Sequence, residues 1–189
     1  GTIGNASTTE GVFFETINAA GVLQVPMVIS VWDDEYGISV HAKHQTTKEN
    51  ISEVLKGFQI EPGTNGLEII KVKGWDYTDL MIAYEKAAKI AREKHIPVLI
   101  HVDELTQPLG HSSSGSHERY KSRERLDWEK DFDCVRQMRS WMIAINIATA
   151  EELDAIDYNA KKIVHEAKKT AWKTFITPII NEQKELVAL

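Results

Sequence analysis

Apolar residues along this chain form short continuous runs and longer stretches with helical spacing, and the two kinds alternate up to about residue 102. The runs "MVISVW" and "IPVLIHV" have the length of strands that a parallel sheet buries on both faces, and "GLEIIKVKG" predicts a third strand. The predicted helices are residues 11–24, apolar on nearly all sides; "TTKENISEVLKGF", an amphipathic helix closed by Gly57; and "DYTDLMIAYEKAAKIAREKH", which begins at an Asp or Thr cap. This order predicts an α/β domain in which helices flank a parallel sheet.

The segment before the first helix carries a start signal. In "STTE", Ser7 or Thr8 has the chemistry of an N-cap, and Glu10 stands close behind as in a capping box.

A ligand-binding turn of an open α/β sheet follows the carboxyl end of a strand. Only three residues precede Gly4, and we expect them to be too few for such a strand. The chain is therefore expected to be a fragment that begins inside a domain.

The alternation stops after residue 102. Residues 103–125 include "HSSSGSHERYKSRER", which is polar and has no hydrophobic period, and a stretch of this length is typical of functional loops or disorder. Helical patterns follow from about residue 128 to 145 and from about 149 to 175. The second has its acids first and its bases last, as a helix dipole favours. We predict a partial α/β domain over residues 1–125 and a helical extension packed on it over residues 126–189.

Composition narrows the function classes. The 189 residues include 22 basic and 28 acidic side chains, a net charge of −6, which argues against a nucleic-acid partner. A single cysteine, Cys134, excludes an intramolecular disulfide and fits a reducing compartment. The apolar stretch near the start is broken by polar residues and a proline and has no basic leader, so neither a signal peptide nor a membrane span is predicted. We expect a cytoplasmic protein.

Two polar turns, in "IGNASTTEG" and "SVWDDEYGIS", each follow an apolar stretch. Taken singly, such residues are ordinary turn and cap residues. Neighbouring parallel strands, however, bring the turns at their carboxyl ends side by side. Backbone amides of "GNAS" at a helix start can bind an anion, and Asn5 and Asp34 offer the oxygen ligands that magnesium prefers. Together the turns predict a site for a diphosphate held by a divalent metal.

At these residues a family resemblance becomes specific. "GNASTTEGVFFETINAAGVLQVPMVISVWDDEYGIS" resembles the thiamine diphosphate motif of 2-oxo acid dehydrogenases: Gly-Asp/Glu-Gly or Ala, a Ser-Glu-Gly helix start, then Asn-Asn-x-Tyr-x-Ile-Ser. "LTQPLGHSSSGSHERYKS" is similar to the family's Gly-His-Ser loop with its Tyr-Arg/Lys-Ser ending. The likeness keeps order and spacing from Gly4 to about Trp141. It points to the α-subunit-like half of the decarboxylating component of a 2-oxoisovalerate or pyruvate dehydrogenase complex.

The resemblance implies a role for individual residues. Asn5 and Asp34 would bind magnesium through side-chain oxygens, and Tyr36 through its backbone carbonyl. Backbone amides around Ala6 and Ser7 would meet the diphosphate. The implied cofactor-binding positions are Gly4, Asn5, Ala6, Ser7, Tyr36, Ile38 and His111, of which Ile38 would lie near the cofactor's rings and His111 would approach the diphosphate and the reacting carbon.

The sequence departs from the family pattern in two respects. The family places the acid in the first turn and the amide in the second, whereas here Asn5 is the amide and Asp34 the acid. This exchange keeps one carboxylate and one carboxamide, so we interpret it as compensated. The family also tends to have Gln or Arg where Trp32 stands and Arg where Gln107 stands. Two potential donors to the diphosphate or the substrate are therefore altered.

Several residues have a plainer alternative. His111 is a loop histidine on sequence alone, and the resemblance favours an active-site group. Residues 112–114 are serines that form either a phosphorylation site or, as we favour, a mobile loop that orders on cofactor binding. The other histidines show no metal-ligand spacing, so surface or core positions are expected. Cys134 is interpreted as a packed residue.

The leading interpretation is an enzyme part that binds thiamine diphosphate and magnesium. The resemblance implies decarboxylation of a 2-oxo acid and transfer of the acyl group to a lipoyl domain. It also implies a β-like half, fused or separate, a lipoyl acyltransferase partner, and a homo- or hetero-oligomer. The family's activating glutamate belongs to the β-like half, so this part alone is expected to be inactive. Two alternatives remain: an assembly domain that has lost cofactor binding, and another thiamine diphosphate enzyme such as a transketolase, against which the Gly-His-Ser loop argues.

Overall fold

The computed structural model describes residues 1–111 and 116–188. The chain divides into two compact units, Gly1–Trp141 and Met142–Leu189, and each is described by itself. The strands are β1 (Thr2–Gly4), β2 (Val28–Trp32), β3 (Tyr36–Gly37), β4 (Val40–His41), β5 (Glu68–Lys73) and β6 (Val98–Asp103). The α-helices are α1 (Gly11–Leu23), α2 (Ile51–Val54), α3 (Tyr77–Lys94), α4 (Arg123–Asp131), α5 (Cys134–Ala144) and α6 (Ala150–Val187).

Four strands form one parallel sheet in the order β1-β2-β6-β5. Gly4, Trp32 and Val102 stand in one row across three of these strands. Because all the strands run in the same direction, the turns that follow β1, β2 and β6 lie at one edge of the sheet. A short antiparallel pair, β3 and β4, follows β2 immediately.

Each face of the sheet is covered by a helix, because successive strand residues point to opposite sides. On one face, Phe13 and Ile17 of α1 pack with Val31 and Leu99. On the other face, α3 contributes an alanine stripe against β5 and β6, formed by Ala83, Ala87 and Ala91. The parallel sheet with flanking helices and the helical C-terminal segment confirm the predicted fold class.

Three residues are enough for the first strand, contrary to the sequence-based expectation. Thr2–Gly4 pairs with Ser30–Trp32 of β2, and the terminal amine donates to the Val28 carbonyl at 2.9 Å. An edge strand needs hydrogen bonds on one side only, so a short segment suffices. The turn at Gly4 therefore does follow a strand.

The predicted capping box at the first helix is wrong. Residues Asn5–Thr9 form a 3₁₀ helix, and α1 begins after Glu10 without any side-chain cap. The Thr8 hydroxyl donates instead to the Asn5 carbonyl at 2.6 Å, so it closes the turn rather than starting α1. The helix α1, whose pattern is apolar on nearly all sides and indicates a buried helix, is only partly buried within this chain, because Val12, Val22 and Leu23 are exposed.

Residues 46–58 do not form the single amphipathic helix that was predicted. The one-turn helix α2 lies between the 3₁₀ turns Thr47–Glu49 and Leu55–Phe58. Lys48 has a positive φ of 60°, which interrupts a continuous helix. The Asn50 side chain then caps α2 by accepting from Glu53 N at 3.1 Å.

The helix predicted from about residue 128 to 145 is two helices. Ser122 caps α4 through Arg125 N, so α4 begins earlier than expected and ends at Asp131. Asp133 accepts from Arg136 N at 2.8 Å and so starts α5, because a short acidic side chain competes with the helix backbone.

The helix α6 belongs to the second unit and extends beyond the predicted end at about residue 175. It begins with a capping box between Thr149 and Glu152 and continues through Pro178 to Val187. Its apolar side chains are spaced along its length, with charged residues between them. No helix among the described residues is both long and apolar enough to cross a membrane.

Replacing Ala87 by leucine should destabilise the protein by roughly 1–3 kcal/mol, because extra methylenes in a packed interface force strained rotamers. Denaturant unfolding of the variant and the wild type measures this difference. Glu85→Leu, on the exposed side of the same helix, is the matched control and should unfold near the wild-type midpoint. Equal midpoints for the two variants would show that the alanine stripe is not closely packed.

Candidate functional site

A pocket of about 800 Å³ opens at the edge of the sheet where β1, β2 and β6 end. Seven of the eight positions proposed from the sequence line it: Gly4, Asn5, Ala6, Asp34, Tyr36, Ile38 and His111. Ser7, the eighth, is not among the lining residues. The two polar turns therefore lie at one site, as their positions after neighbouring parallel strands predict.

The two turns are in direct contact. Gly37 in the second turn lies so close to the first that an added Cβ would stand 2.8 Å from the Ala6 Cβ, and 2.6 Å from a side-chain nitrogen of Gln45. Any larger residue at Gly37 would push the turns apart. The glycine is thus required by close approach and not by an unusual φ.

The first turn presents a buried amide to the pocket. Asn5 follows β1 directly, is 7% exposed and lines the pocket. Among the described residues, no hydrogen-bond partner is found for its side chain. Because Asn5 lines the pocket, this amide is available to a ligand there.

The second turn is held by two aspartate side chains. Asp33 accepts from Glu35 N at 2.7 Å, and Asp34 accepts from Tyr36 N at 3.2 Å. Glu35 and Ile38 have positive φ values of 67° and 59°. A β-branched residue in this region is strained, and such strain is concentrated at functional sites.

The helix α4 supports the second turn from the outer side. Arg125 donates to the Asp34 carbonyl at 2.9 Å and to Glu129 at 2.9 Å, and it pairs with the Glu35 carboxylate. Burial lowers the pKa of Arg125, but its hydrogen bond to Glu129 and the charge of Glu35 outweigh this effect and raise it. Arg125 therefore stays charged and links α4 to the backbone of Asp34.

The Tyr-Lys-Ser ending of the loop has a structural explanation. Tyr120 packs against the Tyr36 ring, with centroids 5.7 Å apart. Lys121 is buried, forms an ion pair with Glu129 at 2.7 Å and lies 5.0 Å from the centre of the Tyr36 ring. These contacts hold the Tyr36 ring in place. Residues 112–115, including the serines of the predicted mobile loop, lie outside the described residues.

The electrostatics of the pocket favour a cation. Burial raises the pKa of Asp34, opposed by the hydrogen bond from Tyr36 N and the more distant charge of Lys121. Among the described residues that line the pocket, none is lysine or arginine. No group of three or more His, Cys, Asp or Glu side chains in the described part of the chain is arranged to hold a metal by itself. A metal here would need oxygens from a ligand as well.

Two further lining residues, Trp32 and Gln107, are departures from the family pattern. Trp32 is half exposed, and its indole N–H donates to the Ser30 hydroxyl at 3.1 Å. Gln107 and His111 reach the pocket from the segment after β6. The altered positions thus face the same pocket as the two turns.

Sequence reasoning did not single out His101 or Asp33. His101 is fully buried on β6, in keeping with a core position, and its Nε2 lies 2.9 Å from Asp33 Oδ2. The sequence does contain one indication of this contact, the histidine inside the apolar run "IPVLIHV". A ring nitrogen buried in a strand of this kind needs a polar partner.

Comparison with known proteins identifies the family. The family model described as "Dehydrogenase E1 component" matches residues 1–179, and the chain belongs to this family. The resemblance inferred from the two turns and the loop is thereby confirmed.

Individual relatives are named as α subunits. The chain is 23% identical over 182 residues to the pyruvate dehydrogenase E1 component subunit alpha of Rickettsia bellii (strain RML369-C), covering 96% of this chain and 52% of that protein. It is 28% identical to the mitochondrial 2-oxoisovalerate dehydrogenase subunit alpha 1 of Arabidopsis thaliana, covering 90% and 35% respectively. The counterpart in Dictyostelium discoideum is 29% identical, with 95% and 39% covered. The chain spans about half or less of the length of these relatives.

Asp34→Asn should stabilise the protein at pH 7 in buffer without divalent cations. Folding raises the pKa of Asp34, so the ionised carboxylate destabilises the folded state at a pH above the folded-state pKa. This destabilisation is absent at a pH below the unfolded-state pKa, because Asp34 is then protonated in both the folded and the unfolded protein. Asparagine keeps the oxygen that accepts from Tyr36 N. We expect a melting temperature a few degrees higher at pH 7, and no difference from the wild type below about pH 3. A lower melting temperature at pH 7 would contradict this account of Asp34.

Proposed function

We propose that the pocket binds thiamine diphosphate through magnesium, and that the chain is the diphosphate-binding part of a 2-oxo acid dehydrogenase. The observation that carries the proposal is the meeting of Asn5 and Asp34 at one pocket, at the ends of two paired parallel strands. The family and the names of the relatives as α subunits support the same assignment.

The residues present fit magnesium. Asn5 lines the pocket with an amide that has no hydrogen-bond partner among the described residues, and Asp34 supplies one carboxylate whose charge is unfavourable without a cation. Tyr36 is proposed to add its backbone carbonyl. Magnesium commonly takes one or two carboxylates and fills its remaining positions with phosphate oxygens and water. This donor set is incomplete without a phosphate ligand and suits a metal–diphosphate pair.

The chain's own residues have the task of binding and orientation. Backbone amides around Ala6 and Ser7, at the start of a 3₁₀ turn, are proposed to donate to the diphosphate. Ile38 is exposed at the pocket in its strained conformation and would support the cofactor's rings. The His111 ring reaches the same pocket and can donate to an anion there.

Thiamine diphosphate, when bound, supplies the electron sink on which a 2-oxo acid loses carbon dioxide. We propose that a β-type half, fused or separate, provides the activating glutamate, and that a lipoyl acyltransferase component accepts the acyl group. On this view the chain acts within a homo- or hetero-oligomer and is inactive without that half.

A second candidate is an assembly domain that has lost cofactor binding. The observation in its favour is that the described lining residues include no lysine or arginine, and that Trp32 and Gln107 replace potential donors. Without lysine or arginine, the charge of the diphosphate is offset mainly by the metal. Binding of thiamine diphosphate should therefore depend almost wholly on a divalent cation.

Exchanging the acid and the amide tests the proposal. Asp34→Asn, in the protein assembled with its β-type half, should weaken magnesium-dependent binding of thiamine diphosphate by more than about tenfold, because even loss of an outer partner of a metal ligand costs that much. The double variant Asn5→Asp/Asp34→Asn should recover most of the affinity, because the site again has one carboxylate and one amide. Calorimetric titration with thiamine diphosphate, with and without magnesium, measures both effects.

The matched control is Asp79→Asn, which makes the same change in charge at the exposed start of α3. It should bind like the wild type. Failure of the wild type to bind with magnesium present would favour the assembly domain. Binding by Asp34→Asn at wild-type strength would show that Asp34 is a turn residue only.

A further inference from the structure

A chain of hydrogen bonds crosses the core beneath the second turn. His101 Nε2 lies 2.9 Å from Asp33 Oδ2, and His101 Nδ1 lies 2.5 Å from the Ser52 hydroxyl. The Ser52 hydroxyl oxygen also lies 3.0 Å from Oδ1 of Asn50, the cap of α2. This chain therefore connects α2, through the central strand β6, to the turn that follows β2.

The order of groups is that of a hydrolase triad, but its burial excludes a nucleophilic role. His101 is 0% exposed, Asp33 6% and Ser52 7%. A substrate large enough for acyl transfer cannot reach the Ser52 hydroxyl without opening the core. Each of the three side chains is within hydrogen-bond distance of another in the core, so their role is structural.

What they fix is the side chain of Asp33. A carboxylate oxygen accepts hydrogen bonds, so Nε2 of His101 is the donor, and it holds Oδ2 in place. The other oxygen, Oδ1, is then directed to Glu35 N at 2.7 Å. This contact is an Asx turn, and it stabilises the positive φ of Glu35.

The conformation of Glu35 decides where its neighbours point. Asp34 and Tyr36 flank it and both line the pocket. If the Asp33 side chain turned away, the Glu35 N–H would lose its partner, and the strained backbone would relax toward negative φ. Asp34 and Tyr36 would then be displaced together.

We infer that His101 is a positioning residue for the metal-binding turn and acts through Asp33 on the backbone between Asp34 and Tyr36. The inference rests on the proposed function of the pocket. His101 is not among the residues that line the pocket. Its effect should therefore appear in metal affinity, with the fold retained.

The test uses the complete protein assembled with its β-type half and measures binding of manganese(II), with thiamine diphosphate present, by electron paramagnetic resonance. His101→Leu, which keeps the volume and removes both ring nitrogens, should weaken binding by about 10- to 100-fold. His101→Gln places an amide N–H near the position of Nε2 and should retain most of the affinity. The double variant Asp33→Ala/His101→Leu should bind no more weakly than the weaker single variant, because the two residues act as one unit.

The matched control separates positioning from loss of core stability. Ile100→Ala removes a fully buried side chain from the same strand, on the opposite face of the sheet. It should lower the melting temperature and leave manganese affinity unchanged. If Ile100→Ala weakened binding as much as His101→Leu, the effect would be one of stability and the inference would be overturned.

The remaining outcomes are also distinguishable. If the wild type binds manganese and His101→Leu binds it with the same affinity, the inference is overturned and the proposed function stands. If the wild type does not bind manganese, both the proposed function and the inference are overturned. Should His101→Leu not fold, Ser52→Ala takes its place, because it removes the partner of Nδ1 with little change in the core. Ser52→Ala is expected to weaken binding more than Ile100→Ala does, and unchanged affinity would overturn the inference.

Discussion

The parallel pairing of β1, β2 and β6 is the constraint on which the rest of the site depends. Parallel strands end at a common edge, so Gly4, Trp32 and Val102, which share a row, deliver three following segments to one place. Strand pairing thereby brings residues that are distant in sequence next to one another, whether or not the turns interact directly. The two turns are in such close contact that a Cβ added at Gly37 would stand only 2.8 Å from the Ala6 Cβ.

Pairing alone does not give a turn its conformation, and the second turn takes support from two directions. From the core, His101 holds the Asp33 side chain and through it the amide of Glu35. From the outside, Arg125 holds the Asp34 carbonyl and the Glu35 carboxylate. Buried polar networks of this kind specify one arrangement when every member has a partner. The strained φ values of Glu35 and Ile38 are sustained by these contacts.

The strands β2, β5 and β6, the helices α1 and α3 and the meeting of the two turns follow from periodicity and from the geometry of parallel sheets. What did not follow depends on single side chains. Lys48 at positive φ divides residues 46–58, and Asp133 divides α4 from α5. The Asp33–His101 contact spans 68 residues and has no local pattern, since it exists only once β2 and β6 are paired. Sequence motifs and hydrophobic periodicity thus predict which residues meet at the site. The contacts that hold the second turn in its conformation are seen only in the folded structure.

The acid and the amide of the proposed site stand in the opposite turns from those of the family pattern. A carboxylate and a carboxamide each offer an oxygen, so either turn can hold either group while the total charge at the pocket stays the same. The environments nevertheless differ. Asn5 is almost fully buried beside the first turn, where an ionised group would lose its hydration, whereas Asp34 is less buried and already accepts a backbone N–H. The observed placement puts the charge where desolvation costs less. With no lysine or arginine among the described lining residues, that single carboxylate determines how strongly the pocket attracts a cation.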